Sequence, residues 1–558
     1  MTPAGAALSA TGPRAPGRPS AWTLTAVAVI AVLATPVVAV LASLAAPRGE
    51  VWAHLARTQL AELVINTVLL VAGVGAGTLL LGGALAWLVV AYRFPGRALF
   101  EWALMLPLAV PAYVIGFAFL GLLDYAGPVQ GALRAWLGPG AALPEVRSYG
   151  GVVLVMTLVF YPYVYLLART AFGEQGAATL ETARSLGRTR WGALREVALP
   201  MARPSLVAGA SLAMMEALGD FGTVATFGFR TLTEAIYRVW HGMFDRVAAT
   251  QLAVLLLLFA FALLALERAL RGRARFVQSQ RRGPGVTPAP LAGWRAAAAS
   301  AACAAVLVVA FGLPVGQLVV WAAASSASPA RFAELLGNTM TLAAGAAATT
   351  CTLALALAYA ARLRPGPGVR LAAQAASMGY ALPGSVIAAG VLTPVALLDR
   401  VLAAVAEDVL GRTPALVLTG SAAALLFAYV ARFVAVGIST VEASLGKIPP
   451  SLDDAARSLG AGAGATLCRV HLPLLRGGVL TALILVFVET MKEMPATLLL
   501  RPFGMDTLAV AVWERTSESL WSEAAVPALA IVAAGLGPVF VAIRLSTRRG
   551  AKPPSEQC

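Results

Sequence analysis

Charge is the property that this chain has least of. Only 12% of its 558 residues are charged, whereas 59% are hydrophobic and the mean hydropathy is +0.79. A soluble globular protein carries about twice that share of charge, so this class is excluded. The apolar residues fall into runs of about 20, the length at which a helix crosses a bilayer. The sequence therefore predicts an all-α integral membrane protein of about twelve transmembrane helices, at 22–45, 63–91, 101–123, 149–170, 202–226, 247–266, 296–322, 338–361, 371–398, 414–438, 475–498 and 525–543.

Cysteine and histidine are also scarce. The four cysteines form no CxxC pair, and the three histidines are scattered without a second ligand at a metal-site spacing (Cys303, Cys351, Cys468 and Cys558; His54, His241 and His471). We therefore expect no disulfide, assign no metal ligands, and interpret each histidine as a surface or packing residue.

A nucleotide-binding loop is missing as well. The pattern GxxxxGK[ST], whose glycines, lysine and hydroxyl hold nucleotide phosphates and Mg²⁺, occurs nowhere in the chain. We therefore predict a protein that is not an ATP-hydrolysing enzyme, has no catalytic residues and binds no cofactor of its own.

The N-terminal segment 1–20 contains Arg14 and Arg18, lacks acids and is rich in Pro, Gly and Ala, which predicts a disordered tail. The apolar run that follows, 21–46, is longer than the core of a typical signal peptide. A retained first helix is therefore favoured over a cleaved signal sequence.

The basic residues behind the net charge of +15 are distributed among the loops according to membrane topology. If the N-terminus is cytoplasmic, the basic residues fall mainly in cytoplasmic loops, whereas the other loops mix signs. This is the positive-inside pattern, so we expect both termini in the cytoplasm of a multi-pass inner-membrane protein and no nucleic-acid partner. The cytoplasmic groups are Arg93 and Arg97; Arg184, Arg188, Arg190, Arg195 and Arg203; Arg268, Arg271, Arg273, Arg275, Arg281 and Arg282; Arg362, Arg364 and Arg370; and Arg544, Arg548, Arg549 and Lys552.

The chain repeats itself after about 272 residues. "ARSLG" occurs at 183–187 and at 456–460, and three other features return at nearly the same offset: Asn66-Thr67 at Asn338-Thr339, Pro111 at Pro383 and Glu216 at Glu489. Six spans per half give both halves the same orientation, as in parallel repeats about an axis along the membrane normal. A solute path between the halves is expected, and a duplication without a pore is the alternative. The predicted units are a tail 1–20, a first half 21–280, a cytoplasmic linker 281–294, a second half 295–547 and a tail 548–558.

Two repeated loops lie between spans 4 and 5 and between spans 10 and 11, at 179–200 and 451–473. Each is predicted to form two short helices on the cytoplasmic side. Ser451 is a candidate N-cap, and Gly460 can end the first helix in the left-handed conformation. Spacing alone leaves an amphipathic surface loop as an equal alternative.

Acid pairs follow both loops. Glu216 and Asp220 are spaced i,i+4, as are Glu489 and Glu493, with Lys492 between the second pair. Ionisable groups inside a membrane are costly unless they face a cavity or find partners. These five residues are a candidate translocation path for a cation, or else Lys492 pairs with an acid and the carboxylates cap helices.

Both loops resemble the EAA loop of ABC importer permeases, in which Glu-Ala-Ala, a glycine and a Leu-Pro follow at fixed spacing. Thr182 and Asp454 depart from that pattern. The resemblance implies a type I importer permease fold and two copies of a separate ATPase subunit, which uses ATP and Mg²⁺ and docks on the loops. The implied coupling residues are Glu181, Ala183, Gly187, Leu199, Pro200, Asp454, Ala455, Ala456, Gly460, Leu472 and Pro473.

The longer stretches "EALGDFGTVATFG", "IYRVW", "LPLAVPAYVIGFA" and "KEMPATLLLRPFGMDTLAVAVW" resemble the fused two-half ferric-iron permeases of bacterial ABC uptake systems. That family implies delivery of ferric iron by a periplasmic binding protein and alternating access. Thiamine permeases share the fused layout, and polyamine and phosphonate permeases are more distant relatives. A secondary transporter with parallel halves is the alternative from another class.

Overall fold

The computed structural model describes residues 21–47, 49–174, 185, 187–271, 288–363, 379, 382–411 and 417–550. The predicted tails fall largely outside these ranges, as does the first half of the predicted linker, 281–287. The described chain is helical apart from one parallel pair of two-residue strands. That pair joins β1, at Tyr92–Arg93, to β2, at Ala289–Pro290, and so connects the two halves.

The first half contains twelve described α-helices. They are α1 Ala21–Ala42, α2 Glu50–Thr58, α3 Leu60–Ala91, α4 Arg97–Ala103, α5 Ala112–Leu123, α6 Pro128–Leu137, α7 Tyr149–Glu174, α8 Arg190–Ala193, α9 Leu199–Gly219, α10 Phe221–Thr226, α11 Leu232–Tyr237 and α12 Arg246–Arg271. Short 3₁₀ turns occupy Ser43–Ala45 and Leu106–Ala109, and π turns occupy Leu194–Ala198 and Arg238–Gly242.

The second half contains eleven described α-helices. They are α13 Gly293–Leu307, α14 Leu313–Ala323, α15 Pro329–Leu363, α16 Gly384–Leu410, α17 Ala422–Leu445, α18 Ser451–Ser458, α19 Ala463–Thr466, α20 Leu472–Lys492, α21 Pro495–Leu500, α22 Leu508–Ser517 and α23 Trp521–Gly550. Its π turns lie at Val308–Gly312 and Leu467–His471.

Twelve helical segments of the described chain are long and apolar enough to cross a bilayer, which confirms the predicted number. Some boundaries differ from the prediction at prolines. The third span is interrupted before α5 at Pro111, and the ninth begins at Gly384 directly after Pro383. Proline lacks the N–H that a helix interior needs and restricts the residue before it, so an apolar run that contains proline can be divided.

The Asn-Thr repeat has the same structural role in both halves. Asn66 Nδ2 donates to the carbonyl of Arg230 at 3.0 Å, and Asn338 Nδ2 donates to the carbonyl of Asp506 at 3.1 Å. The hydroxyls of Thr67 and Thr339 accept the backbone N–H groups that open α11 and α22. These matched bonds show that the repeat in sequence is also a repeat in structure.

The halves exchange their first helices. α1 packs against α15 and α16 of the second half: Trp22 meets Tyr359 edge to face, and the α1 backbone at Pro36 lies so close to Gly390 that a Cβ there would overlap it. In the same way, Trp321 of α14 stacks on Phe117 of α5 at 6.1 Å. Each hydrophobic core therefore contains residues from both halves of the sequence.

Candidate functional site

The fifth and eleventh spans both stop at an acid. α9 ends at Gly219 and α20 at Lys492, and the next residues, Asp220 and Glu493, have extended backbones. The i,i+4 spacing of each acid pair would place both acids on one face of a continuous helix, and the structure breaks the helix before the second acid. The chain turns there into a new short helix, because the carboxylate replaces the helical hydrogen bonds at that helix's N-terminus.

Each of these carboxylates caps the short helix that follows. Asp220 accepts hydrogen bonds from the backbone N–H of Thr223 at 2.8 Å and from its hydroxyl at 2.7 Å. Glu493 accepts from the backbone N–H groups of Ala496 and Thr497, both at 3.1 Å, and from the Thr497 hydroxyl. Both acids sit at positive helix ends, where negative charge is stabilised.

A cavity of about 110 Å³ lies between the halves, beside these breaks. All five residues of the candidate translocation path line it, so the structure brings together what the sequence separates by 273 residues (Glu216, Asp220, Glu489, Lys492 and Glu493). That volume holds several water molecules. The remaining wall comes from the starts of α5 and α10, the middle of α7 and α17, and Met494-Pro495.

In the second half the acids of the cavity are neutralised. Arg432 of α17 lies 2.6 Å from Glu493, whose side chain is only 1% exposed, and Lys492 lies 2.9 Å from Glu489. Gly384 at the start of α16 makes room, since a Cβ there would overlap both Arg432 and Glu493. The structure therefore agrees with the interpretation in which Lys492 pairs with an acid. It also contains a second base, Arg432, which the sequence analysis missed.

The first half contributes no base to the described cavity wall. At the repeat offset, Phe160 stands in the place of Arg432 and Gly219 in the place of Lys492. The wall as a whole carries four acids and two bases. Both bases belong to the second half, and the first half contributes the acids Glu216 and Asp220.

Among the described residues, no group of three or more His, Cys, Asp or Glu side chains could hold a metal ion. The acids of the cavity are spread over two helix breaks. The arrangement is not built as a closed coordination site.

The repeated loop of the second half forms the predicted pair of short helices, α18 and α19. Gly460 ends α18 with φ +78°, and the Ala461 N–H donates to the Ala456 carbonyl, as in a left-handed C-cap. The expectation for Ser451 was wrong: it is the first helical residue, Pro450 precedes it, and no side chain caps the helix. Asp454, Ala455 and Gly460 are exposed, and Leu459 beside them is 87% exposed.

The first-half loop is described only in part. Glu181 and Ala183 lie outside the described residues. Gly187 is exposed with φ +81°, matching Gly460, and Leu199 and Pro200 are exposed at the start of α9. One π turn precedes the Leu-Pro in each half, because the proline cannot donate the helical hydrogen bond there (Leu194–Ala198 and Leu467–His471).

Comparisons with known proteins agree with this architecture. Residues 78–276 match the family described as "Binding-protein-dependent transport system inner membrane component". The molybdenum transport system permease protein ModB of Escherichia coli is 32% identical over 27% of this chain and 67% of its own length. This chain belongs to that family, the permeases of ABC importers.

Two further relatives of the permease are informative. The Fe(3+)-transport system permease protein FbpB 2 of Haemophilus influenzae is 28% identical over 87% of this chain and 90% of its own length, so the likeness extends over both halves. The sulfate transport system permease protein CysT of E. coli is 31% identical over 33% of this chain and 66% of its own length. The permease is thus a multi-pass inner-membrane transport subunit of a binding-protein-dependent system.

An anchor beneath the second loop was not foreseen. The guanidinium of Arg362, at the end of α15, bonds Asp453 at 2.8 Å and also the carbonyls of Leu445 and Ile448. His471 Nε2 lies 2.6 Å from Asp453 Oδ1, and this histidine is 1% exposed. We define Arg362, Asp453 and His471 as the loop anchor. It joins the permease's second loop to the helices on either side.

The sequence analysis placed these three residues differently. Arg362 was counted only as a cytoplasmic charge, and His471 only as a surface or packing residue. The sequence analysis selected Asp454 as a coupling residue and assigned no role to its neighbour Asp453. A helical projection of α18 separates the two acids, since Asp453 shares a side with the buried Ala456 at i,i+3, and this signal could have identified the anchor.

Proposed function

We propose that the permease moves ferric iron, delivered by a periplasmic binding protein, into the cytoplasm by alternating access. The observation that carries this proposal is the cavity between the halves, whose wall has four acids and two bases. The relative that covers 87% of the chain is named for Fe(3+) transport, which supports the same substrate.

The electrostatics favour a cation over an anion. Carboxylate oxygens are hard ligands and suit Fe(III), and a charge inside the membrane is stabilised by the opposite charge on the cavity wall. An open wall of acids also suits a substrate that must leave. A site that bound iron tightly would hold the ion within the membrane.

The energy source is a separate ATPase that docks on the two loops, one copy for each loop. The support is the exposed glycine with positive φ in both loops and the exposed Leu459 at the tip of the second. Both termini lie in the cytoplasm in this proposal, as the distribution of arginine indicates. ATP-driven closure of the ATPase pair would move the loops and switch the cavity between the two sides.

Reconstitution tests the proposal. The permease, its ATPase and its binding protein loaded with Fe(III) are placed in proteoliposomes, and internal iron is measured with and without ATP. We expect uptake that needs ATP, the binding protein and an intact ATPase. Uptake driven by an ion gradient without ATP would instead identify a secondary transporter.

An oxyanion is the second candidate substrate. Arg432 lines the cavity, its Nε has no hydrogen-bond partner in the described structure, and two relatives are named for sulfate and molybdenum transport. Sulfate and molybdate, offered to the same vesicles with the binding protein, discriminate the two. The ligand that the binding protein retains on purification would also reveal thiamine, a polyamine or a phosphonate.

A further inference from the structure

A tyrosine on the cavity wall has no structural role that explains its hydroxyl. Tyr113 lies in the first turn of α5 and is 7% exposed, and its hydroxyl has no hydrogen-bond partner among the described residues. Burying a hydroxyl without a partner costs free energy. Other buried tyrosines do find one: Tyr161 donates to the Leu104 carbonyl, and Tyr429 shares a hydrogen bond with Thr497.

Tyr113 packs closely against the start of α10. A Cβ added at Gly222 would lie 2.5 Å from the Cβ of Tyr113 and 2.5 Å from the Met494 methyl group. The glycine therefore allows α10 to approach Tyr113, and Met494 of the second half lies against the same glycine. Tyr113 lines the cavity together with Asp220.

Asp220 supplies negative charge on the same wall. Its oxygens accept two hydrogen bonds from Thr223 and also interact with the backbone N–H of Gly222, and no first-half base lines the described cavity wall. A carboxylate has about four acceptor sites, so these contacts leave an oxygen lone pair for a ligand. Glu216 lies one turn earlier on α9 and lines the cavity as well.

The second half has no such hydroxyl on the described cavity wall. Ser385 occupies the position of Tyr113 at the repeat offset, and its buried hydroxyl also lacks a described partner, but it does not line the cavity. The carboxylate of Glu493 is already bonded by Arg432 and by the start of α21. Glu493 of the second half is therefore engaged by contacts within the protein, whereas Tyr113 and Asp220 of the first half have oxygen atoms that can contact a ligand.

We infer that Tyr113 and Asp220 form a transient contact site for the passing trivalent cation, with Glu216 adding negative charge. The site takes a hard cation through a phenol oxygen and a carboxylate oxygen, which makes these two residues determinants of substrate specificity. This inference depends on the proposed iron transport. The second-half acids maintain the shape of the cavity and do not contact the ion.

Two conservative variants test the site in the reconstituted complex with Fe(III) as the probe. Tyr113→Phe removes only the hydroxyl, and Asp220→Asn removes the charge while its amide can still cap α10 through Thr223. Each is expected to lower the iron moved per ATP hydrolysed about tenfold, as for the loss of one contact to a charged group. The ATPase rate stimulated by the binding protein should stay near that of the wild type.

Matched controls separate contact from folding. Tyr161→Phe removes a buried tyrosine hydroxyl away from the cavity. Asp245→Asn changes an aspartate that caps α12 through the Ala248 N–H at 2.9 Å. Both should keep the iron-to-ATP ratio within about twofold of the wild type, since neither lines the cavity. A folding defect would lower transport and ATPase activity together and leave the ratio unchanged.

The outcomes of the inference and of the proposed function differ. If the wild type moves Fe(III) and both Tyr113→Phe and Asp220→Asn keep its ratio, the contact site is wrong and iron transport stands. If the wild type moves no Fe(III), the proposed function fails and the site fails with it.

Discussion

At the break after α9 the chain places Asp220 on a wall to which the described first half contributes no base, and at the break after α20 it places Glu493 against Arg432. Both carboxylates cap the next helix, so the two halves solve the same backbone problem in the same way. They differ in what compensates the buried charge. A duplicated scaffold has retained its helix breaks, while one half of the described cavity wall holds an ion pair and the other contributes two acids and no base.

The largest expected effect comes from removing Arg432. Arg432→Met leaves Glu493 buried without its counter-charge, which should cost about 3–5 kcal/mol of unfolding free energy. The matched first-half change, Phe160→Leu, replaces one apolar side chain with another and should cost about 1 kcal/mol. Chemical unfolding in detergent measures both. Equal costs would show that the two helix breaks do not differ in this way.

A second test compares the two neighbouring acids of the coupling loop. Asp453→Asn weakens the loop anchor at Arg362 and His471, and a partly buried pair of this kind should contribute about 2 kcal/mol. Asp454→Asn affects only an exposed pair with Arg457 and should change little. The ATPase rate stimulated by the binding protein and the free energy of unfolding should both differ between the two variants. A similar response to the two substitutions would exclude the anchor as the element that positions the loop.

A third test concerns the tip of each loop. Gly187 and Gly460 have φ of +81° and +78°, where a side chain costs about 1–2 kcal/mol. Gly187→Val and Gly460→Val should therefore distort the loops and weaken copurification of the ATPase, with membrane insertion unchanged. Gly462→Val is the control, since φ at Gly462 is −69° and the space beside it is open. Unimpaired copurification in both tip variants would argue against docking there.

The smallest expected effect comes from a hydrogen bond that the two halves share. Asn66→Ala and Asn338→Ala each remove one side-chain bond to the loop before α11 or α22, worth about 1 kcal/mol. We expect equal shifts in unfolding free energy. Clearly unequal shifts would mean that the two halves are not equivalent even in their common framework.

The twelve spans, the repeat and the paired acids were predictable because each is a local pattern. Hydropathy identifies a span, and a constant offset identifies a duplication. The five residues of the candidate path, selected from that pattern, all line one cavity. The pattern could not show that α9 and α20 end one residue before Asp220 and Glu493, although the nearby Gly222 and Pro495 are breaker signals.

The remaining features depend on contacts between distant parts of the chain. Arg432 is a single charge in an apolar span, and its partner Glu493 lies 61 residues away. Tyr113 has nothing in its local sequence that marks an unpaired hydroxyl. His471 and Asp453 meet only after two helices have packed. Such pairings follow from the tertiary arrangement and leave no local pattern in the sequence.

The exchanged first helix has a consequence for synthesis. α1 emerges from the ribosome long before α16, the helix against which it packs, because α16 begins about 340 residues later. At 5–20 residues per second, α1 waits for about 17–70 s before its binding surface exists. During that time its apolar surface faces lipid or the insertion machinery. The order in which the helices are made is therefore not the order in which they assemble, and neither half of the gene product can complete its own core alone.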